Sequence, residues 1–463
     1  MSRARRSWVR AIAVTAATMA VWTCSDRDRP TSPVYGNLAV NSDPSGALIG
    51  VDGSIFEETT PAVLEGIEAG LRYVELGYEA SSVEFFGWED TVTVPVEGLD
   101  TIDAALVGGC WRNCPFLMDA GRVVCRATNH GDTCASVYYD NVSALEWPGN
   151  DSNTDYGGGG RLLLAGMFDA SAGAQAGDTI STQVYDEAWV GRRPMSQSSN
   201  GSRQVMQLEY WGHSRYRTET IQGLSVTETL IAVDSATVED VLFIRFEIEN
   251  VSNDERYRRF YPWIPEEGYT YESLYVGFGF DVDVGDSDSD LGTFDPALGL
   301  SFMYDAYFMD AALGDYSNRP ALVGLVTVEP PAGATERTHT FWRHVDDWDD
   351  ADRHDFAWRL LAGRLAPGDP IQDHPSPVIG YQGTEPTDYR LTEAFGPLRL
   401  APGETITYAV AILLAEPVPG TYTPGTMVPP GDPTDPNRQI LVIADNLRAL
   451  AAHVPALWDR YRP

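Results

Sequence analysis

Five aspartates fall within ten positions in DVDVGDSDSD, residues 281–290, and Asp295 follows close behind. Two carboxylates about 5 Å apart repel by about 1 kcal/mol in a water-like dielectric, and by more when partly buried. A divalent cation removes that cost. Calcium takes about six to eight oxygen ligands, mostly carboxylates and carbonyls. Acids at near-alternate positions direct Asp281, Asp283, Asp286, Asp288, Asp290 and Asp295 towards a shared centre, so the segment is expected to hold a structural Ca2+. It is not an EF-hand, which places Gly sixth and Glu twelfth in its loop. Counted from Asp281, Gly285 is fifth and Gly292 takes the twelfth place. The competing expectation is a solvated loop whose side chains splay apart. The flanking Phe278, Phe280, Phe294, Tyr304 and Tyr307 suggest packing on both sides, which limits splaying.

No other stretch spells out a reaction. His339 and His344 stand five apart and no H-E-x-x-H is present, which argues against a zinc protease of that type. There is no G-x-S-x-G nucleophile elbow. YGGGGRLLLAG, residues 156–166, lacks the G-K-[ST] of a phosphate loop and reads as a bend before a strand. Glycoside hydrolysis needs two carboxylates across a cleft, and a chain with 67 acidic residues nominates too many pairs to be informative. WRHVDDWDDADRHD, residues 342–355, sets Trp342 and Trp348 among acids, a pattern that can grip a sugar ring. The same run reads as an acidic helix start, favoured by the helix dipole. No catalytic residue is assigned, and a secreted carbohydrate-active hydrolase stands as the alternative to a non-enzymatic role.

The formal charge of the 463-residue chain is -35, and every basic side chain apart from histidine is an arginine. Such acidity excludes ordinary nucleic-acid binding, which needs cations on the protein. The apolar fraction of 43% is that of a folded chain. MSRARR followed by AIAVTAATMAVWT is a basic segment and a short apolar run, the pattern of a secretory signal peptide over 1–23. Cys24 ends that run as in a bacterial lipoprotein cleavage site, although Trp22 and Thr23 are bulkier than usual there. Lipidation of Cys24 would anchor the chain to a membrane through a polar tether, 24–35. Cys110, Cys114, Cys125 and Cys134 crowd into a connector, 108–135, without the C-x2-C pairs of a zinc site. Export favours two disulfides, with three connectivities open.

Period-two alternation dominates what remains. In 36–107, GNLAVNSDPSGALIGVDG, LRYVEL, DTVTVPV and TIDAALV are short extended runs between Gly, Pro and Asp, expected to form a small antiparallel β unit. Over 136–436, RLLLAGMFDA, RQVMQLEYW, LSVTETLIAV, VEDVLFIRFEIENVSN and TYAVAILLAEP suggest a large antiparallel β-sandwich. DDADRHDFAWRLLAGRL near 349–365 looks helical. The segment 437–463 is expected as a C-terminal helix, with Asp435 as cap and Pro436 at the first helical position. Its apolar face runs through Ile440, Ile443, Leu447, Leu450, Val454, Leu457 and Trp458.

Two resemblances sharpen this outline. Val40-Asn41-Ser42-Asp43-Pro44-Ser45-Gly46-Ala47, then Val51-Asp52-Gly53, Thr60-Pro61 and Gly70 resemble the PEGA domain. The resemblance implies a small β-sandwich in a bacterial envelope protein, concerned with surface attachment or carbohydrate contact. Asp281, Asp283, Gly285, Asp286, Asp290, Asp295, Tyr304, Pro320, Ala321 and Gly324 are similar to a segment of an uncharacterised β-rich domain in secreted bacterial proteins. Ser289 and Gly292 depart from that pattern. Glu249-Asn250, Gly396-Pro397 and Pro402-Gly403 fit it. The overall expectation is a mainly β chain: a PEGA-like β-sandwich, then a large antiparallel β-sandwich with a C-terminal helix. It would be exported and lipid-anchored at the outer membrane or cell surface, binding a surface glycan or another envelope protein.

Overall fold

The computed structural model describes residues 34–43, 45–52, 54–79, 85–96, 98–105, 107–109, 116–128, 131–134, 144–149, 155–157, 159–169, 179–182, 189–212, 223–260, 264–309, 320–343, 358–364, 385–432 and 435–463. The segment 1–23, Cys24, Cys110, Cys114, His344, Trp348 and the acids of 346–355 lie outside the described residues. The fold is mainly β and divides into two compact units, 1–114 and 115–463.

In the first unit, alternation in Tyr35–Asp43 buries Leu38 and Val40 and turns Tyr35 outward. A three-stranded sheet has the order Ala62–Glu68, Tyr35–Asp43, Leu99–Ala105. A five-stranded sheet has the order Ser54–Thr59, Leu48–Val51, Gly70–Glu79, Phe85–Val94, Val107–Gly109. Leu38, Val40, Ile49, Leu64, Val74 and Leu76 belong to one small core. The expectation of a wholly antiparallel unit needs correction: Tyr35–Asp43 runs parallel to Leu99–Ala105. Parallel neighbours need a long crossover, and the strands lying between these two in the chain supply it. Val51 pairs with Ser54, and Asp52 has φ 48°, as the first central residue of a tight hairpin turn requires. The Thr60 hydroxyl accepts hydrogen bonds from the backbone N–H groups of Gly46 (3.1 Å) and Ala47 (2.9 Å) and contacts the Ser42 hydroxyl. That one buried oxygen ties the Thr60-Pro61 and Gly46-Ala47 parts of the motif together.

Among the described residues, the second unit is a sandwich of a nine-stranded and an eight-stranded sheet with every pair antiparallel. Leu224–Val233, Val241–Asn250 and Thr405–Ala415 lie side by side in the eight-stranded sheet; Leu224–Val233 is buried at all but one position, and the apolar stretches 241–244 and 408–415 are buried throughout, as in strands covered on both faces. Phe243, Phe246, Phe278, Phe280, Phe302, Tyr304 and Tyr408 are fully buried and fill the core. Each such ring removed from water contributes about 1.5–3 kcal/mol. Asn250, at the end of its strand, donates to the carbonyls of Tyr269 (2.9 Å) and Leu400 (3.0 Å), and its carbonyl accepts from Gly403 N–H (2.7 Å). Of the cysteine-rich stretch, Gly108 and Gly109 end the five-stranded sheet of the first unit, whereas the strands from Phe116 onward belong to the nine-stranded sheet, and Cys125 and Cys134 form a disulfide there.

The C-terminal helix is two segments, Gln439–Ile443 and Asp445–Tyr461, which meet at Ala444. Asp435 does not cap it. Its Oδ1 accepts Asn437 N–H (2.9 Å) in the turn before the helix, and Arg438 holds the N-cap position. Of the expected apolar face, Ile440, Ile443, Leu447, Val454 and Trp458 are buried, while Leu450 and Leu457 are partly so. The helical part of the stretch expected near 349–365 begins, among described residues, at Trp358. Trp458 packs on Phe243 with ring centroids 5.5 Å apart. Replacing Trp458 by Ala should cost about 3–5 kcal/mol, read as a lower urea midpoint at unchanged slope. A loss under about 0.5 kcal/mol, the scale of a surface change, would show that the helix is not docked there.

Candidate metal centre

Strand Tyr271–Asp281 runs between Gly159–Phe168 and Tyr389–Leu400, and Asp281 lies level with Gly159 on one side and Arg390 on the other. Beyond the strand the alternation continues. Val282 and Val284 are fully buried, so Asp281 and Asp283 share the opposite side. Asp388 arrives from the neighbouring chain segment, just before Tyr389–Leu400 begins. Asp281, Asp283 and Asp388 each present one carboxylate oxygen, all within 4.8 Å of one another. Oxygens bound to one Ca2+ at about 2.4 Å lie at most about 4.8 Å apart, so the spacing suits a shared ion.

Asp290 positions both arms of this cluster without facing it as a ligand. Its fully buried carboxylate accepts Val284 N–H at 3.2 and 3.3 Å, and its carbonyl accepts Thr387 N–H at 3.1 Å. Asp283 N–H donates to the Tyr156 carbonyl (3.3 Å), which anchors the loop from a third segment. Asp155, beside Tyr156, spends its carboxylate on the N–H groups of Ala144 (3.0 Å), Leu145 (3.1 Å) and Gly157 (3.3 Å).

The expected convergence of six aspartates is therefore reduced to two, joined by one that sequence spacing did not suggest. Asp286 and Asp288 are exposed, and Asp286 Oδ1 accepts Asp288 N–H (3.3 Å) in a local turn. Asp290 turns to backbone. Asp295 accepts Ala297 N–H (3.0 Å) and pairs with Arg448 Nε (2.7 Å) on the C-terminal helix. A hydrogen-bonding partner of either kind pulls a carboxylate away from a common centre. Phe278, Phe280, Phe294 and Tyr304 are buried as expected, whereas Tyr307 is at the surface.

The electrostatics favour a cation. Burial, then the neighbouring charges of Asp281, Asp388 and Asp155, push the Asp283 carboxyl up to about 7, and Arg390 only partly offsets them. Burial likewise raises Asp290 well above the ordinary carboxylate range, with Asp283, Asp305 and Asp388 adding to the effect. Arg390 contacts Asp281 Oδ2 at 2.9 Å and lies over the Trp342 ring at 5.5 Å. The other oxygen of Asp281, Oδ1, is buried without a hydrogen-bond partner among the described residues. Asp281, Asp283 and Asp388 could supply three hard oxygen ligands, with water completing the shell.

A second constellation was invisible in the sequence. Ser301 Oγ lies 2.9 Å from His339 Nδ1, and His339 Nε2 lies 3.8 Å from Glu393 Oε1. The order resembles a nucleophile–base–acid relay, but all three residues are buried and Glu393 is bound by the Arg337 guanidinium. Burial, with Arg337 close by, holds the His339 imidazole well below its ordinary range, and therefore neutral. Ser301 belongs to the eight-stranded sheet and His339 and Glu393 to the nine-stranded one, so the three form a buried polar bridge between the two sheets. A surface hollow lined by Asp119, Gln197, Ser198, Gln204 and Asp234 shares no residue with the aspartate cluster.

No protein family and no curated protein matches the chain. Among solved structures, an amine oxidase from Aspergillus nidulans aligns with 89% of this chain and 72% of its own, at 9% identity and a TM-score of 0.29. A likeness that low supports no inference about site or activity.

The raised Asp283 has a testable consequence. Without metal its folded-state value lies above the ordinary 3.8, so the folded chain retains a proton up to about pH 7. An ion needs the carboxylate, so metal and proton compete. Affinity for Ca2+ should fall about tenfold per pH unit below about pH 7 and level off above it. Calorimetry at pH 6 in two buffers of different ionisation enthalpy should detect about one released proton per ion bound. Affinity independent of pH between 5 and 8 would remove Asp283 from the ligand set.

Proposed function

We propose that this chain is an exported bacterial envelope protein with a binding or structural role, carrying a PEGA-like module and a β-sandwich stabilised by Ca2+. The observation that carries the metal part is the meeting of Asp281, Asp283 and Asp388 within 4.8 Å, in a setting that raises Asp283 to about 7. Calcium suits it better than Mg2+, which dehydrates reluctantly and demands near-ideal octahedral geometry. Exported sites of this kind bind with Kd on the order of 10⁻⁴ to 10⁻³ M. At about 10 mM Ca2+ the ion would then stabilise the fold by about 1.4–2.7 kcal/mol. Addition of Ca2+ should raise Tm, chelation should reverse it, and D283N should abolish the response while folding normally. An unchanged Tm together with no binding heat would remove the metal reading.

The envelope part is supported by the N-terminal pattern and the PEGA resemblance, and not by the fold. A surface glycan or another envelope protein is the partner class this implies. Cys24→Ala should move the chain from the membrane fraction to the soluble exported fraction in a bacterial host and abolish labelling by a fatty-acid analogue. Full membrane retention by that variant would rule out the lipid anchor.

A further inference from the structure

A different carboxyl lies deep in the sandwich. Glu228, on Leu224–Val233, is fully buried and faces the short strand Asp132–Thr133 of the opposite sheet. Its Oε1 accepts the Thr133 hydroxyl, and its Oε2 accepts the Tyr210 hydroxyl at 3.0 Å. Thr133 immediately precedes Cys134, which is bonded to Cys125. The turn before it sits on Tyr210: a Cβ at Gly131, which has φ 81°, would come within 2.8 Å of that ring. Asp132 is the charged group facing Glu228 from the same short strand, and it is paired with Arg161 Nε (2.9 Å) of Gly159–Phe168. Thus Glu228 and Tyr210 of the eight-stranded sheet bind the disulfide-bearing segment of the nine-stranded one through a single carboxyl group.

We propose that Glu228 is an acid-set latch, which holds the disulfide-linked stretches 124–128 and 131–134 closed on the sandwich when protonated and loosens them when ionised. Burial gives the direction. Two hydroxyl donors meet the carboxyl oxygens, among the described residues no cation is paired with them, and Asp132 is the charged neighbour. Burial is the largest influence and pushes Glu228 up to about 7 from an ordinary 4.5. Asp132 adds to this, while the Thr133 and Tyr210 hydroxyls oppose it. A raised folded-state value means the closed form holds the proton more tightly than the open form. Between about pH 4.5 and 7 each opening therefore releases a proton, and opening becomes about tenfold easier per unit. Below that window and above it the equilibrium is flat.

Hydrogen exchange of the full chain, normalised to intrinsic rates, tests this. Amides of Val124–Ala127 and Asp132–Thr133 should lose about tenfold protection per pH unit from about 4.5 to 7, while Thr405–Ala415 keeps its own. In E228Q the local slope should vanish. In T133V, which removes a donor that favours the charged carboxylate, the slope should continue above pH 7. The same slope in E228Q, a flat profile in the native chain, or an equal slope in Thr405–Ala415 would overturn the latch. Should E228Q fail to fold, isotope-edited infrared spectroscopy of the native chain replaces it. A protonated Glu228 carbonyl band persisting at pH 6 is expected, and its absence there would also overturn the proposal.

Discussion

The antiparallel register of Tyr271–Asp281 between its two neighbours fixes where charge can collect in the second unit. Asp281 stands level with Arg390, so Asp388, two residues earlier on the neighbouring chain, is carried to the same end of the strand. A slip by one residue would turn Asp281 and Asp283 into the positions of Val282 and Val284, which are buried in the core. Close packing resists that slip. Gly160 admits the Phe278 ring, and a Cβ there would approach it to 2.6 Å; at Gly396 a Cβ would approach Tyr275 to 2.4 Å. The same fit that seats the aromatic core therefore sets the carboxylate spacing.

Within that frame, arginine handles most of the buried charge. Arg337 binds Glu393, Arg448 binds Asp295, Arg161 binds Asp132 and Arg126 binds Glu146. The planar guanidinium keeps its charge when desolvated and presents several donors at once, which a lysine ammonium does less well in a buried pair. A chain with a formal charge of -35 and only arginine for this purpose can neutralise selected carboxylates inside, while the remainder repel one another.

Much of the fold was legible because burial on one or both faces leaves a direct imprint on residue type. The stretch 408–415 is a continuous apolar run, Leu224–Val233 ends in one over 230–233, and Tyr35–Asp43 alternates. What was not legible depends on partners distant in the chain. The parallel pairing of Tyr35–Asp43 with Leu99–Ala105 leaves no mark on either strand's pattern. Asp388 sits in no acidic run, and only strand pairing brings it to Asp281. Asp295 looked like a ligand by spacing, but the C-terminal helix supplies Arg448 to it. Alternation told which way Asp281 and Asp283 point. It could not tell that the turn at Asp286–Ser289 breaks the alternation before Asp290.

Three carboxyl groups in this unit, Glu393 and Glu228 fully buried and Asp283 partly so, face a desolvation cost and meet it differently. Glu393 has a guanidinium at bonding distance, which opposes the upward push of burial. Glu228 has hydroxyl donors but, among the described residues, no paired cation, and is accommodated by holding a proton up to about 7. Asp283 rises to about the same value, but its nearest charged neighbours are other carboxylates, Asp281 and Asp388, whose oxygens lie within reach of a single ion. For Glu228 a proton is sufficient, because there is one carboxyl to neutralise. At Asp283 one proton would leave the remaining negative charges facing each other, whereas a divalent ion compensates two at once and gains their oxygens as ligands. That difference in local charge separates a pH-responsive core contact from a metal centre in one and the same sandwich.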